Sequence, residues 1–176
     1  MRPRRKARLA EKAGAWAVLA ALVLAPKILG SGPVPGLQRE AVKPGPREKC
    51  PVCGMFVAKY PDFLAEILFR DGSHAVFDGA KDMFKFYFDM KKYAPEKHLK
   101  DIDAIHVTDY YHLTFIDARE AFYVLGSDVY GPMGKELIPL KSRAEAESFL
   151  ADHKGRSILG FADITLPLIG AMDKIP

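Results

Sequence analysis

Hydrophobic and polar positions change period several times along the chain, and each change predicts an element. Phe63 to Arg70 and Ser73 to Phe77 flank Asp71-Gly72, a pair that tolerates the positive φ of a tight hairpin, so two antiparallel strands are predicted there. Between residues 79 and 93 the period lengthens, with Ala80, Met83, Phe84, Tyr87, Phe88 and Met90 at helical spacing. Asp78 is placed to cap this helix and Pro95 to stop it. Ile105–Tyr110, His112–Ile116 and Phe122–Leu125 are rich in β-branched and aromatic residues and read as three short strands. Ser142 and Glu145 have the spacing of a capping box, opening a helix to about His153 that Gly155 is placed to end. A strand over Ser157 to Ile164 follows, then a tail containing Pro167 and Pro176. Strands, helix, strands, helix, strand is an α+β order. Its second half repeats the first in outline, which predicts two small subdomains, about 47–103 and 104–164.

A different pattern precedes this body. Ala13 to Ala25 is apolar, uncharged and without a polar face, and it follows Arg2, Arg4, Arg5, Lys6, Arg8 and Lys12. Basic residues leading into such a run are the build of a secretory signal. Pro26 and Lys27 interrupt the run short of the roughly 20 residues a membrane span needs. Residues 1–30 therefore read as a signal peptide or a retained signal anchor, with 13–30 as the attachment to the membrane in the second case. Because the basic end stays on the cytoplasmic side, the rest is expected to be extracytoplasmic, periplasmic or on the outer face of the inner membrane. Residues 31–46 hold Gly32, Pro33, Pro35, Gly36, Pro44, Gly45 and Pro46 and read as a linker, leaving 47–176 as the globular part.

Composition narrows the function classes. With 49% hydrophobic and 27% charged residues over 176 positions, a packed core is expected. The net charge of +4 is misleading, because residues 1–12 carry six basic side chains against one acid and everything beyond them sums to −1. The body is near neutral, and nucleic-acid binding has no support in it. Two cysteines are too few for a disulfide-rich scaffold or a four-thiolate zinc site.

The candidate chemistry is sulfur. Cys50-Pro51-Val52-Cys53-Gly54-Met55 places two thiols three positions apart, and Gly54 lets the backbone turn so that the Met55 sulfur can approach. Thiolate and thioether are soft donors that suit copper(I) rather than calcium or magnesium. Spacing alone leaves three readings open: a metal site, a disulfide or redox pair, and inert packing. Met133 lies in Gly131-Pro132-Met133-Gly134, a tight turn where a methionine has little to pack against. His74, on the second hairpin strand, is a further candidate ligand. His106 and His112 fall in different predicted strands, and no G-x-S-x-G, phosphate-cradling glycine loop or H-E-x-x-H occurs.

Cys50-Pro-Val-Cys53-Gly-Met55, Tyr123-Val-Leu-Gly-Ser127, Gly131-Pro-Met-Gly-Lys-Glu-Leu-Ile-Pro139, the Ala144–Phe149 helix and the closing strand together resemble the NosL family. That resemblance implies an exported copper(I)-binding accessory protein, not an enzyme, serving assembly of the copper centres of nitrous oxide reductase beside a membrane-bound ABC-type complex. It also implies two small ββαβ units, related to part of the organomercurial lyases. The family's cysteine and methionine fall on Cys53 and Met55, Met133 is a further ligand, and Cys50 matches an extra cysteine of some members. The chain departs from the typical member in lacking a lipidated cysteine at the end of its hydrophobic segment. The client is then nitrous oxide reductase or a related copper protein. Two other classes remain to be weighed: an extracytoplasmic thiol–disulfide oxidoreductase using Cys50 and Cys53, and a membrane-tethered interaction module with structural cysteines.

Overall fold

In the computed structural model, which describes residues 40–174, β1 (Ala65–Phe69) pairs antiparallel with β2 (His74–Phe77) on one side and β3 (Ile102–Thr108) on the other. β4 (Phe115–Asp117) extends this sheet to the order β2-β1-β3-β4. The second sheet has β5 (Phe122–Gly131) at its centre, between β6 (Gly134–Leu140) and β7 (Ser157–Gly160), all antiparallel. α1 (Ala80–Phe88) and the short α2 (Met90–Tyr93) connect β2 to β3, and α3 (Arg143–Asp152) connects β6 to β7. Each half thus follows ββαβ with its first strand in the middle, the architecture expected for the α+β class. The division between sheets falls after Asp117, so the first unit includes β3, which runs across residue 103, and β4. The hydrophobic segment and residues 31–39 of the linker lie outside the described residues. Among the described residues, no helix is long and apolar enough to cross a membrane.

Local chemistry accounts for most of these elements and for several differences from expectation. The first hairpin closes through three residues, Arg70, Asp71 and Gly72, because Gly72 alone takes a positive φ, of 89°, after a turn closed by its N–H to Phe69 O. The helix expected over 79–93 breaks at Asp89, whose backbone is non-helical. Residues 110–113 form a turn, not the start of a strand, so His112 lies outside β4. β6 lies just beyond the turn read around Met133, in a stretch given no element above, and it contains Pro139. Proline is tolerated there because β6 is an edge strand. The closing strand ends at Gly160 and a 3-10 turn follows. The supposed tail contains α4 (Leu166–Met172), in which Pro167 occupies the first turn, where its missing N–H costs nothing. The capping box forms as expected: Ser142 Oγ accepts from Glu145 N–H at 3.3 Å, and Glu145 Oε2 accepts from Ser142 N–H at 3.2 Å.

α1 organises the interior. It packs on β1 and β2 of one sheet, on β6 of the other and on α4, and Ala80, Lys81, Asp82, Met83, Phe84 and Phe86 are all buried. A helix covered this completely needs apolar residues on most sides. Phe84 contacts Phe88, Tyr123 and Phe161, tying both halves together. A smaller core of Val124, Ile138, Leu140, Ala146 and Phe149 lies under α3. On the first sheet, buried Glu66 bonds to His106 Nδ1 at 2.8 Å and takes the Val42 N–H on both oxygens, which fixes the end of the Pro/Gly-rich stretch to the body.

The start of α1 lacks a side-chain cap of its own. The N-cap residue is Gly79, not Asp78, and the donor is served from across the fold: Glu136 Oε1 on β6 accepts from Lys81 N–H at 2.6 Å and from Leu137 N–H at 2.9 Å. Burial pushes the Glu136 carboxyl up from 4.5 to about 7, with those two N–H groups pulling the other way. The folded chain therefore retains this proton at pH values where the unfolded chain has lost it. Stability should fall as pH rises from 4.5 to about 7, by on the order of 3 kcal/mol, and level off above. Denaturant unfolding between pH 4.5 and 8 checks this, with Glu136→Gln expected to remove that part of the slope. Separately, Ser142→Ala should lower stability by about 1 kcal/mol in the same assay.

Candidate metal centre

Cys50 to Met55 form a tight loop closed by two backbone bonds. Cys50 N–H donates to Met55 O at 2.9 Å, and Gly54 N–H donates to Cys50 O at 2.9 Å. Gly54 has φ 80°, which a residue with a Cβ adopts only with strain, so glycine is needed for the loop to fold back. Both cysteines are free thiols, Cys50 buried and Cys53 half-buried. Their sulfurs point toward the start of α1. Cys53 Sγ–H donates to Asp78 Oδ1 at 3.1 Å, and Cys50 Sγ–H lies 3.6 Å from Asp82 Oδ2. One ligand atom from each of Cys50, Cys53, Asp78 and Asp82 lies within 4.8 Å of the other three.

The electrostatics of this cluster are unusual. Asp78 and Asp82 are 1% and 2% exposed, and Asp78 Oδ2 has no hydrogen-bond partner among the described residues. Asp82 Oδ1 also has no aligned hydrogen bond, and only the Lys85 ammonium at 3.2 Å balances it. Unsatisfied buried carboxylate oxygens are costly, which marks the place as one that a cation would relieve. Burial pushes the Cys50 thiol up to about 12. Cys53 is raised further, first by burial and then by the hydrogen bond to Asp78, which stabilises the protonated thiol. Without a metal, both sulfurs are held as thiols.

The other sequence candidates separate clearly. Met55 belongs to the loop, and its backbone N–H also faces Cys53. Met133 is 44% exposed in the turn between β5 and β6, and its carbonyl accepts from Lys81 Nζ at 2.9 Å, next to Asp82 in sequence. His74 is not part of the cluster. It sits at the start of β2, four residues and roughly 13 Å of extended chain from Asp78, and its Nε2 lies 3.4 Å from Glu48 Oε2 in an open cavity of about 520 Å³. Asp78 and Asp82 are the residues that sequence reasoning missed. Their signal was two acids four apart in the mostly apolar stretch from Ala75 to Phe88, where one was taken for a helix cap. A second convergence, Asp109, His112 and Glu145, is structural. Asp109 accepts from Tyr111 N–H, His112 N–H and His112 Nδ1 through one oxygen and from Lys141 N–H through the other, pinning the β3–β4 turn to the start of α3.

A family model described as NosL matches residues 41–169, a span that holds the cysteine loop, both acids and the Met133 turn. The chain belongs to the NosL family. The crystal structure of the copper chaperone NosL from Shewanella denitrificans is similar, with a TM-score of 0.62 and 25% identity, covering 73% of this chain and 97% of that one. The solution structure of apo-NosL from Achromobacter cycloclastes is 30% identical over 60% of this chain and 87% of that one, with a TM-score of 0.42. No curated protein matches the chain. In this NosL member the second cysteine and the two acids turn the motif loop into a four-residue cluster. Removing the hydrogen-bonded carboxylate should release one thiol: Asp78→Asn is expected to speed alkylation of Cys53 at pH 8 relative to the parent protein. Iodoacetamide labelling read by peptide mass spectrometry checks this, and Asp109→Asn should leave the rate unchanged.

Proposed function

We propose that this protein carries copper(I) outside the cytosol and hands it to a client copper protein. The observation that carries the reading is the pair of free thiols converging at Cys50 and Cys53 beside buried carboxylate oxygens that lack partners. Membership of a family in which the Shewanella protein is a copper chaperone supports it. Thiolates suit a soft monovalent ion, and the thioethers of Met55 and Met133 complete a sulfur-rich set around it. Few ligands, some of them on an exposed turn, leave the ion open to attack by an incoming ligand, which is the chemistry of transfer rather than of storage. Within this reading the client is nitrous oxide reductase or a related copper enzyme, reached beside a membrane-bound ABC-type complex. Residues 1–30 export the chain, and if retained, residues 13–30 attach it to the membrane.

The oxidoreductase alternative is less well supported. A thiol–disulfide exchange catalyst needs a nucleophilic thiolate, hence a cysteine with a depressed pKa, and both thiols here are raised. The Cys-x-x-Cys loop also precedes a 3-10 turn and not an α-helix.

Because copper displaces the protons that the thiols hold, affinity should rise with pH. Two thiols give about a hundredfold tighter apparent binding per pH unit between pH 6 and 8, and Cys50→Ser should reduce this to about tenfold. Anaerobic copper(I) titration against a competing chelator measures both the slope and a stoichiometry of about one ion per chain. Cys53→Ser should abolish tight binding, and unchanged binding in that variant would refute the assignment.

A further inference from the structure

The turn that carries Met133 is fastened at its base. Lys81 is 1% exposed, a rare place for an ammonium group. Its Nζ donates to the Met133 carbonyl at 2.9 Å, with Asp173 Oδ1 at 3.3 Å as its counter-charge. Its backbone N–H is held by Glu136 Oε1 at 2.6 Å. Glu136 in turn fills a slot between two glycines. A Cβ on Gly79 would collide with Glu136 Oε2, and one on Gly131 would lie 3.0 Å from Glu136 Cγ.

These contacts have a common direction. Gly79 follows Asp78 and Lys81 precedes Asp82, so the turn is drawn against the same helix start that presents both carboxylates to the thiols. Met133 itself is 44% exposed, so its side chain is not held by core packing. The base of the turn is fixed while its sulfur stays free to swing, on a side chain with three rotatable bonds. A turn ordered in advance spares the ion the cost of ordering it on binding.

We propose that Lys81, supported by Glu136, is a positioning residue for copper: it holds the Met133 turn beside the thiol pair so that the Met133 sulfur joins the ion's sulfur ligands. This rests on the copper(I) reading above. A double-mutant cycle on the full chain tests it, using copper(I) affinity against a chelator and the sulfur count from X-ray absorption. Lys81→Leu should weaken binding about tenfold and remove one sulfur from the copper shell, and it should have little further effect in a Met133→Ala background. Gly131→Ala, which crowds Glu136 from the other side, should show the same dependence on Met133 and serves if Lys81→Leu does not fold. Equal losses in both backgrounds would mark Lys81 and Glu136 as merely structural and overturn the proposal, as would unchanged affinity in both variants. Unchanged affinity in Met133→Ala while Cys53→Ser abolishes binding would overturn the positioning role and leave the copper reading standing. Unchanged binding in Cys53→Ser would remove both.

Discussion

The first turn of a buried helix must find partners for its free N–H groups, and in this protein that requirement shapes everything around it. α1 is enclosed by both sheets and by α4, so water does not supply those partners. Glu136 reaches across from β6 to do so, and in doing so fixes how the second half sits on α1. Two carboxylates then lie at the same helix start. Negative charge is favoured at that end by the aligned peptide dipoles, which makes it a tolerable place to bury Asp78 and Asp82. The cysteine loop folds over the carboxylates, and its thiols donate to them. One helix end thus joins the two halves and gathers Asp78, Asp82 and Glu136 in a single spot.

The fold was legible in the sequence wherever a local signal was self-contained. Ser142 and Glu145 predicted α3 because a capping box is decided within four residues. The first hairpin was visible because Gly72 supplies the positive φ its turn needs. Signals that depend on the rest of the molecule were misread. Pro139 argues against a strand unless the strand is known to be an edge, and Pro167 argues against a helix unless it is known to stand in the first turn. Likewise Asp78 has the residue type of a cap, and only the position of the cysteine loop shows its carboxylate occupied elsewhere.

The candidate site was half legible for the same reason. Cys50 and Cys53 are neighbours in sequence, so their meeting needed no knowledge of the fold. Asp78 and Asp82 come to them from 25 and 32 residues away, through a hairpin register that sequence does not state. His74, on the second hairpin strand near the turn, shares a cavity with Pro51 of the cysteine loop but lies at the opposite end of β2 from Asp78. Length along a strand, at roughly 3.3 Å per residue, separates the two as effectively as any partition.

Pro139 has one more effect, on the company the protein keeps. β6 is the longer border of the second sheet, but Glu136 to Leu140 are buried and the outward Pro139 carbonyl already accepts from Tyr110 N–H at 3.0 Å, so little of it can recruit another chain. The imide nitrogen of Pro139, near the end of that border, adds no free donor to it. The other border, β7, is four residues long and gives little to grip. Little of the second sheet's edge is thereby left for another copy of the chain to pair with.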